Sequence, residues 1–395
     1  MNQLAEPNPT PRNRIGFVCL TLGEPSETWL WRQAIGLRRY ELCVLTWKYR
    51  NRGSFPLGDV EWHEMAFDPT PYEGPRRWIH RIQSTGTRNF FGTVGRERRW
   101  LIDIATQRRL AGFLCHFGWS ALRMAPVGIA TGIPIVAHFH GVDLTASLKN
   151  HWYRWSLRQS IRDFAAFVTV NDHQRDTLVD LGAKKEAIHV IPCGVPVEQF
   201  SPINAPVSET PRLLAVGRFV EKKAPLTTLR AFDRCITKGA RANLVMVGDG
   251  PLLSKAKAFV SARGLQGHVS FTGAIGNEQV LELMHKSDVF LQHSVTAANG
   301  DMEGWPVSIA EAVACGMPVI ATRHAGIPLQ IAHGKTGYLV KEHGEVEMSK
   351  YMMDLLANPQ TRREMSAAAR WLALERFDHR VQMEKLEAVI ADSIG

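Results

Sequence analysis

No stretch of this chain reaches the ~18 consecutive apolar residues of a membrane-spanning helix, so no segment reads as a bilayer span. The N-terminus has Pro and Asn ahead of Arg12 and Arg14 and lacks the apolar centre of a secretion signal, which makes cytoplasmic residence the expectation. Cysteine is sparse. Cys19, Cys43, Cys115, Cys193, Cys235 and Cys315 stand singly, without C-x-x-C or Cys/His ligand spacing, so buried free thiols are expected rather than disulfides or a metal centre. The chain also lacks a D-x-D pair, since Asn299-Gly300-Asp301 is not one, and it has no internal sequence repeat. Acidic residues are fewer than basic ones, and of the net charge of +9, +7 falls in residues 1–205 and +2 in the remainder.

What is present is an alternation of short β-rich runs with longer segments of helical period, the pattern of α/β units with parallel sheets. In the first half the expected strands are Ile15–Leu20, Leu42–Trp47, Val60–Met65, Phe113–Phe117, Ile133–Phe139, Phe167–Val170 and Ile188–Pro192. The second half restarts with Leu213–Val216, Asn243–Val247, Val269–Thr272, Val289–Gln292, Val319–Thr322 and Tyr338–Val340. Between them lies a stretch rich in Pro, Ser and Asn that reads as a linker. The expected fold class is α/β: two Rossmann-like, doubly wound domains, 1–200 and 201–377, facing a central cleft. A last helical segment, 378–395, has no strand after it and is expected to pack back on the first domain. Ligands of such sheets bind outside the carboxyl ends of the strands, so the loops there are the place to look for chemistry.

Three such loops lie in the second half. Gly217-Arg218-Phe219-Val220-Glu221-Lys222-Lys223 leads into Ala224-Pro225 at a helix start. A glycine and cations at a helix N-terminus suit a diphosphate, although a solvated basic turn has the same composition. Gly248-Asp249-Gly250-Pro251 permits a tight turn near a ligand, or a plain strand-to-helix connection. The decisive segment runs from Asn299 to Ala312. There Glu303 precedes a helix that begins near Pro306 and Val307, and Glu311 sits inside that helix in a small, apolar run. A carboxylate in such a run needs a partner. A ribose diol is one, and a structural ion pair with a nearby Arg or Lys is the other.

Glu303 and Glu311 form an E-x7-E pair within E-G-x-P-x-x-x-x-E-A-x-A-x-G-x-P-V-I-A-T, with G-R-F-V-x-K-K upstream and G-I-P…H-G-K-T-G-Y-L-V downstream. This set resembles glycosyltransferase family 4, of the GT-B fold. In the first half the loop Leu20–Trp29, containing Gly23 and Ser26, resembles the P-x-x-SETF-type loop of members that build exopolysaccharides of the colanic-acid type. It carries Trp29 where Phe is usual. The HFG segment at His116 and the FHGxD segment from Phe139 to Asp143 also resemble the family's, as does Val190–Pro202. The position after Gly326-Ile327-Pro328, often Glu in the family, is Leu329 here.

The resemblance implies a retaining transfer from a UDP- or GDP-sugar to a hydroxyl of a sugar or lipid-linked glycan acceptor, with no cofactor and no obligatory metal. Arg218 and Lys223 would hold the diphosphate, and Glu311 the ribose. Glu303, with the backbone from Gly304 through Pro306 to Val307, would hold the sugar. His140 would contact the sugar near its anomeric carbon, while His116 and His138 are expected to be satisfied by backbone groups. Gly23 and Ser26 would line the cleft. The alternatives are a sugar-nucleotide epimerase of the same fold and a non-catalytic nucleotide-sugar-binding protein.

Residues 72–110 are dense in Arg and aromatics, including Arg76, Arg77, Trp78, Arg81, Arg88, Phe90, Arg96, Arg98, Arg99 and Trp100. That composition suits an anionic membrane surface, such as the inner face of a plasma membrane. A solvated basic face is the second reading, and nucleic acid the least favoured.

Overall fold

A computed structural model describes residues 13–65, 88–203 and 210–395. Each of the thirteen expected strands is present, most within two residues of its expected ends. The first domain holds β1 (Arg14–Leu22), β2 (Glu41–Tyr49), β3 (Glu61–Glu64), β4 (Leu110–His116), β5 (Ile135–His138), β6 (Ala166–Thr169) and β7 (Ile188–Val190). The second holds β8 (Arg212–Val216), β9 (Asn243–Val247), β10 (Val269–Gly273), β11 (Val289–Gln292), β12 (Val319–Thr322) and β13 (Gly337–Val340). Most of these strands are buried on both faces, as in β5, β6, β11 and β12, because helices cover both sides of the sheets.

The first sheet runs β3-β2-β1-β4-β5-β6-β7 and the second β10-β9-β8-β11-β12-β13, with parallel pairing throughout. Strand order reverses between β1 and β4 in one sheet and between β8 and β11 in the other. A crevice opens at each reversal, because the crossover helices on its two sides lie on opposite faces. The loops after β8 and β11 therefore flank one crevice, and those after β1 and β4 flank the other.

The final helix, His379–Ile394, leaves the second domain and packs against β4, β5 and the helix Thr28–Gly36 of the first. Val195 bridges Phe377 and His379 through backbone hydrogen bonds of 2.8 and 2.9 Å. An apolar layer runs from Phe17 and Val44 through Leu30, Phe200, Trp305 and Ile309 to Phe377 and Ile390, so the two domains share core rather than merely touching. All six cysteines are buried and free. Of the basic aromatic stretch, Arg76, Arg77, Trp78 and Arg81 lie outside the described residues, as do residues 204–209 of the linker.

Candidate active site

The loop after β8 is built on backbone. Gly217 N–H donates to the Val247 carbonyl and Phe219 N–H to that of Asp249. Gly248 makes this possible: at φ +129°, a Cβ there would lie 2.1 Å from the Gly217 carbonyl oxygen. The G-D-G-P turn thus approaches the neighbouring loop closely. Gly217, Arg218, Lys223, Thr228, Gln292 and His293 line a pocket between the ends of β8, β9 and β11. Arg218 is exposed, and among the described residues its side chain is in no hydrogen bond or ion pair. It faces the loop after β1, where burial pushes the Glu27 acid up to about 7, with Glu24 adding to the rise and Arg218 opposing it.

The loop after β11 supplies the opposite charge. Lys223 Nζ lies 3.2 Å from Glu303 Oε1, and Lys222 Nζ 3.1 Å from Asp301 and 3.9 Å from Glu303. Burial alone would push the Glu303 acid up, but the two lysines outweigh it and hold the carboxyl below its ordinary range. Burial lowers Lys223, which Glu303 only partly offsets. The Glu303 amide donates to His324 Nε2 at 3.1 Å, and His324 Nδ1 meets Glu342 at 2.6 Å. The cation assigned to phosphate and the carboxylate assigned to sugar are therefore paired with each other, a link that the sequence reading did not include.

Glu311 lies on the helix Val307–Ala314 and meets Arg32 of the first domain at 2.8 Å, both side chains buried. Of the two partners open to it from sequence, the structure provides an arginine, and it comes from the other domain. Burial raises the Glu311 acid and Arg32 draws it back. Removing one member of such a pair leaves a buried charge unmet. We expect Arg32→Met to lower unfolding stability by about 3–5 kcal/mol at neutral pH. The folded-state pKa of Glu311 lies above its unfolded value. Its cost is thus absent below the unfolded pKa and appears as pH rises. Urea unfolding should show a larger deficit for Arg32→Met at alkaline than at acidic pH, and Arg32→Met/Glu311→Gln should regain most of it. A deficit independent of pH would mean that Glu311 is not the group left unpaired.

The first domain closes over this site. The His140 carbonyl packs so tightly on Gly304 that a Cβ there would lie 1.9 Å from it. Asn171 Nδ2 donates to the Gly304 carbonyl at 2.6 Å. Asp143 holds the His140 loop by accepting from the amides of His140, Gly141 and Gly118 at 2.9–3.3 Å, which gives the D of FHGxD a structural task. Trp29 packs on His140, tilted, with ring centres 3.9 Å apart, so the Trp-for-Phe exchange places a larger ring against the histidine. Gly23 is buried, its carbonyl bonded to Asn51, and Ser26 is exposed. Pro306 caps the helix, and its carbonyl accepts from Gln330. The first-turn amides at Val307 have no partners within the helix.

His116 and His138 depart from expectation. His116 Nδ1 lies 3.2 Å from His140 Nε2, while its Nε2 and both ring nitrogens of His138 are buried without partners. Backbone does not satisfy them because the two rings pack tilted on each other and beside His140, with Phe17 against His116, instead of reaching a carbonyl. Burial, with mutual repulsion, keeps His116 and His140 neutral, and burial lowers His138 to about 3. Among the described residues, two groups bring ligand atoms within 4.8 Å: these three histidines, and Cys43 with Glu61 and His63. Glu61 is already engaged by Arg108 at 2.6 Å.

Sequence reasoning missed Arg32, Asn171 and His324. Arg32 had a signal: it is a charge inside the apolar helix Thr28–Gly36, the pattern that had exposed Glu311. Asn171 and His324 follow strand ends, where nothing in their spacing distinguishes them.

Residues 197–371 match the family described as Glycosyl transferases group 1, and residues 59–199 match Glycosyltransferase Family 4. The chain is 31% identical over 277 residues to the putative colanic acid biosynthesis glycosyltransferase WcaL of Escherichia coli, covering 68% of each chain. It is 26% identical over 285 residues to the amylovoran biosynthesis glycosyltransferase AmsK of Erwinia amylovora, covering 70% of this chain and 69% of the other. In fold it is similar to Anabaena HepE, solved with UDP and glucose, at a TM-score of 0.76 and 16% identity over 96% of this chain and 100% of that one.

Proposed function

The chain belongs to the group 1 and family 4 glycosyltransferases of the GT-B fold, and from that premise we propose that it transfers a sugar from UDP- or GDP-sugar with retention, in exopolysaccharide or glycolipid assembly. One observation carries this reading: Arg218, Lys223, Glu303 and Glu311 all arise from the two loops and the helix that flank the β8/β11 reversal. The first domain's His140 loop lies directly against the same segment.

Arg218 and Lys223 hold the diphosphate and stabilise the charge that grows on it as the glycosidic bond breaks. The incoming phosphate competes with Glu303 for Lys223, which frees the carboxylate to accept from sugar hydroxyls. Glu311, paired with Arg32, accepts from the ribose. Neutral His140 offers Nδ1 to a hydroxyl near the anomeric carbon. The departing phosphate takes the acceptor's proton on the face it leaves, which gives retention. With these cations facing the diphosphate, no metal is assigned to the reaction. The acceptor is a sugar or lipid-linked glycan, and the basic first half suits work at the inner face of a plasma membrane. Among the described residues, no helix is long and apolar enough to cross a membrane.

The test is the anomeric configuration of the product, read by proton NMR coupling, with and without a chelator. Retained configuration at an unchanged rate is expected. An inverted product would overturn the retaining mechanism, and loss of activity on chelation would return the three histidines to consideration as a metal site.

A further inference from the structure

A second cavity, of about 270 Å³, opens on the first domain among Arg88, Arg98, Pro126, Ile129, Gln159, Arg162 and Asp163. It is remote from the cleft. The helix Phe117–Thr131 starts at the cleft end of β4, and Ile129 lies twelve residues along it, about 18 Å away.

Three arginines converge there against a single carboxylate, Asp163, whose acid burial raises and Arg162 draws back. Among the described residues none of the three is in an ion pair, and Arg162 makes only a 3.4 Å contact with the Gln159 carbonyl. The Nε of Arg98 is buried with no hydrogen-bond partner. A buried guanidinium N–H left unmet is costly, so the cavity is built for an acceptor that comes from outside. Guanidinium forks match the oxygens of a phosphate.

The rim is apolar. Ile129 is 61% exposed while lining the same cavity. Beside Arg88, Phe90 packs on Trp152 at 4.8 Å and Trp155 at 5.0 Å, with Trp152 itself 39% exposed. Inorganic phosphate has no use for this rim, whereas a lipid has.

We propose that this cavity is a headgroup site for an anionic phospholipid: Arg88, Arg98 and Arg162 take the phosphate, and Ile129, with the exposed Trp152 on the helix that carries Gln159, enters the acyl boundary. The proposal rests on the reading that the enzyme works at a membrane surface. It adds that the contact is a discrete site and not a diffuse charge.

The experiment is vesicle co-sedimentation of the full chain on phosphatidylglycerol/phosphatidylcholine and on phosphatidylcholine alone. The cavity variant Arg88→Gln/Arg98→Gln/Arg162→Gln is compared with Arg96→Gln/Arg99→Gln/Arg109→Gln, which removes equal charge from exposed positions outside the cavity. Wild type should bind only the anionic vesicles. The cavity variant should bind roughly 100-fold more weakly, and the control less than about tenfold more weakly. Ile129→Asp should also release the protein. Transfer to a soluble acceptor analogue and the melting temperature should be unchanged, which separates lost docking from lost folding. Equal losses in both triple variants would leave membrane association standing and overturn the cavity. No binding by wild type would overturn the membrane reading itself. Competition by excess inorganic phosphate, with Ile129→Asp unaffected, would make the cavity a free-phosphate site and overturn its lipid assignment.

Discussion

Glu303→Gln should lower kcat by about 10²–10³-fold, the range seen when one group stabilising a transition state is removed, while nucleotide binding stays nearly intact. The reason is the place of Glu303 in the site. Its carboxylate is buried and held ionised by Lys223 and Lys222, and its amide is fixed on His324, itself anchored by Glu342. Such a group organises the sugar where positive charge develops, and its effect appears in the transition state more than in the ground state. Glutamine keeps the shape and loses the charge. It also frees Lys223 from its 3.2 Å partner, so affinity for UDP or GDP should hold or rise slightly. Hydrolysis of donor without acceptor should fall in parallel. Glu311→Gln should do the reverse, raising KM more than it lowers kcat, because the ribose is the same in both states. Steady-state kinetics with nucleotide calorimetry on the two variants distinguishes these outcomes. If Glu303→Gln lost nucleotide affinity while Glu311→Gln kept it, the two roles would have to be exchanged.

The second large effect concerns the phosphate cations. A charge-assisted hydrogen bond contributes about 1.5–3 kcal/mol, so Arg218→Ala or Lys223→Ala should each weaken nucleotide binding by roughly 10–100-fold. The two substitutions should not behave alike. The Arg218 side chain is exposed and, among the described residues, in no hydrogen bond or ion pair, so its loss should touch binding and leave folding alone. Lys223 also neutralises buried Glu303, and its loss leaves that carboxylate with Lys222 at 3.9 Å as its nearest cation. Lys223→Ala should therefore also lower stability. The folded-state pKa of Glu303 is depressed, so the stabilisation it supplies is present above its unfolded pKa and is lost as pH falls through the folded one. The deficit of Lys223→Ala should thus be greatest at neutral pH and shrink in acid. Calorimetry showing undiminished affinity in the double variant would remove the phosphate assignment.

The fold was legible because its determinants are local. Strands buried on both faces leave continuous apolar runs such as Val289–Gln292, and Gly and Pro punctuate the loops after them. The site was legible where one segment carries several of its parts: Glu303, the helix start at Pro306 and Glu311 fall within nine residues. What stayed hidden was pairing across the cleft. Nothing in the spacing of Arg32 and Glu311, 279 positions apart, reveals that they meet at 2.8 Å. The Lys223–Glu303 contact is hidden in the same way, because it depends on β8 and β11 lying side by side with two strands between them in the chain. The histidines failed for another reason. A strand-end His usually finds a carbonyl, but three of them at the ends of β4 and β5 find each other and Trp29 first.

The most direct test of the donor-site assignment is a crystal structure of the enzyme with an intact or hydrolysed UDP- or GDP-sugar, whichever stabilises it against heat. The account predicts the diphosphate between Arg218 and Lys223, the ribose hydroxyls on Glu311, and the Lys223–Glu303 contact opened by the sugar. A nucleotide bound instead at the ends of β1 and β4, with Lys223 and Glu303 still paired, would contradict it.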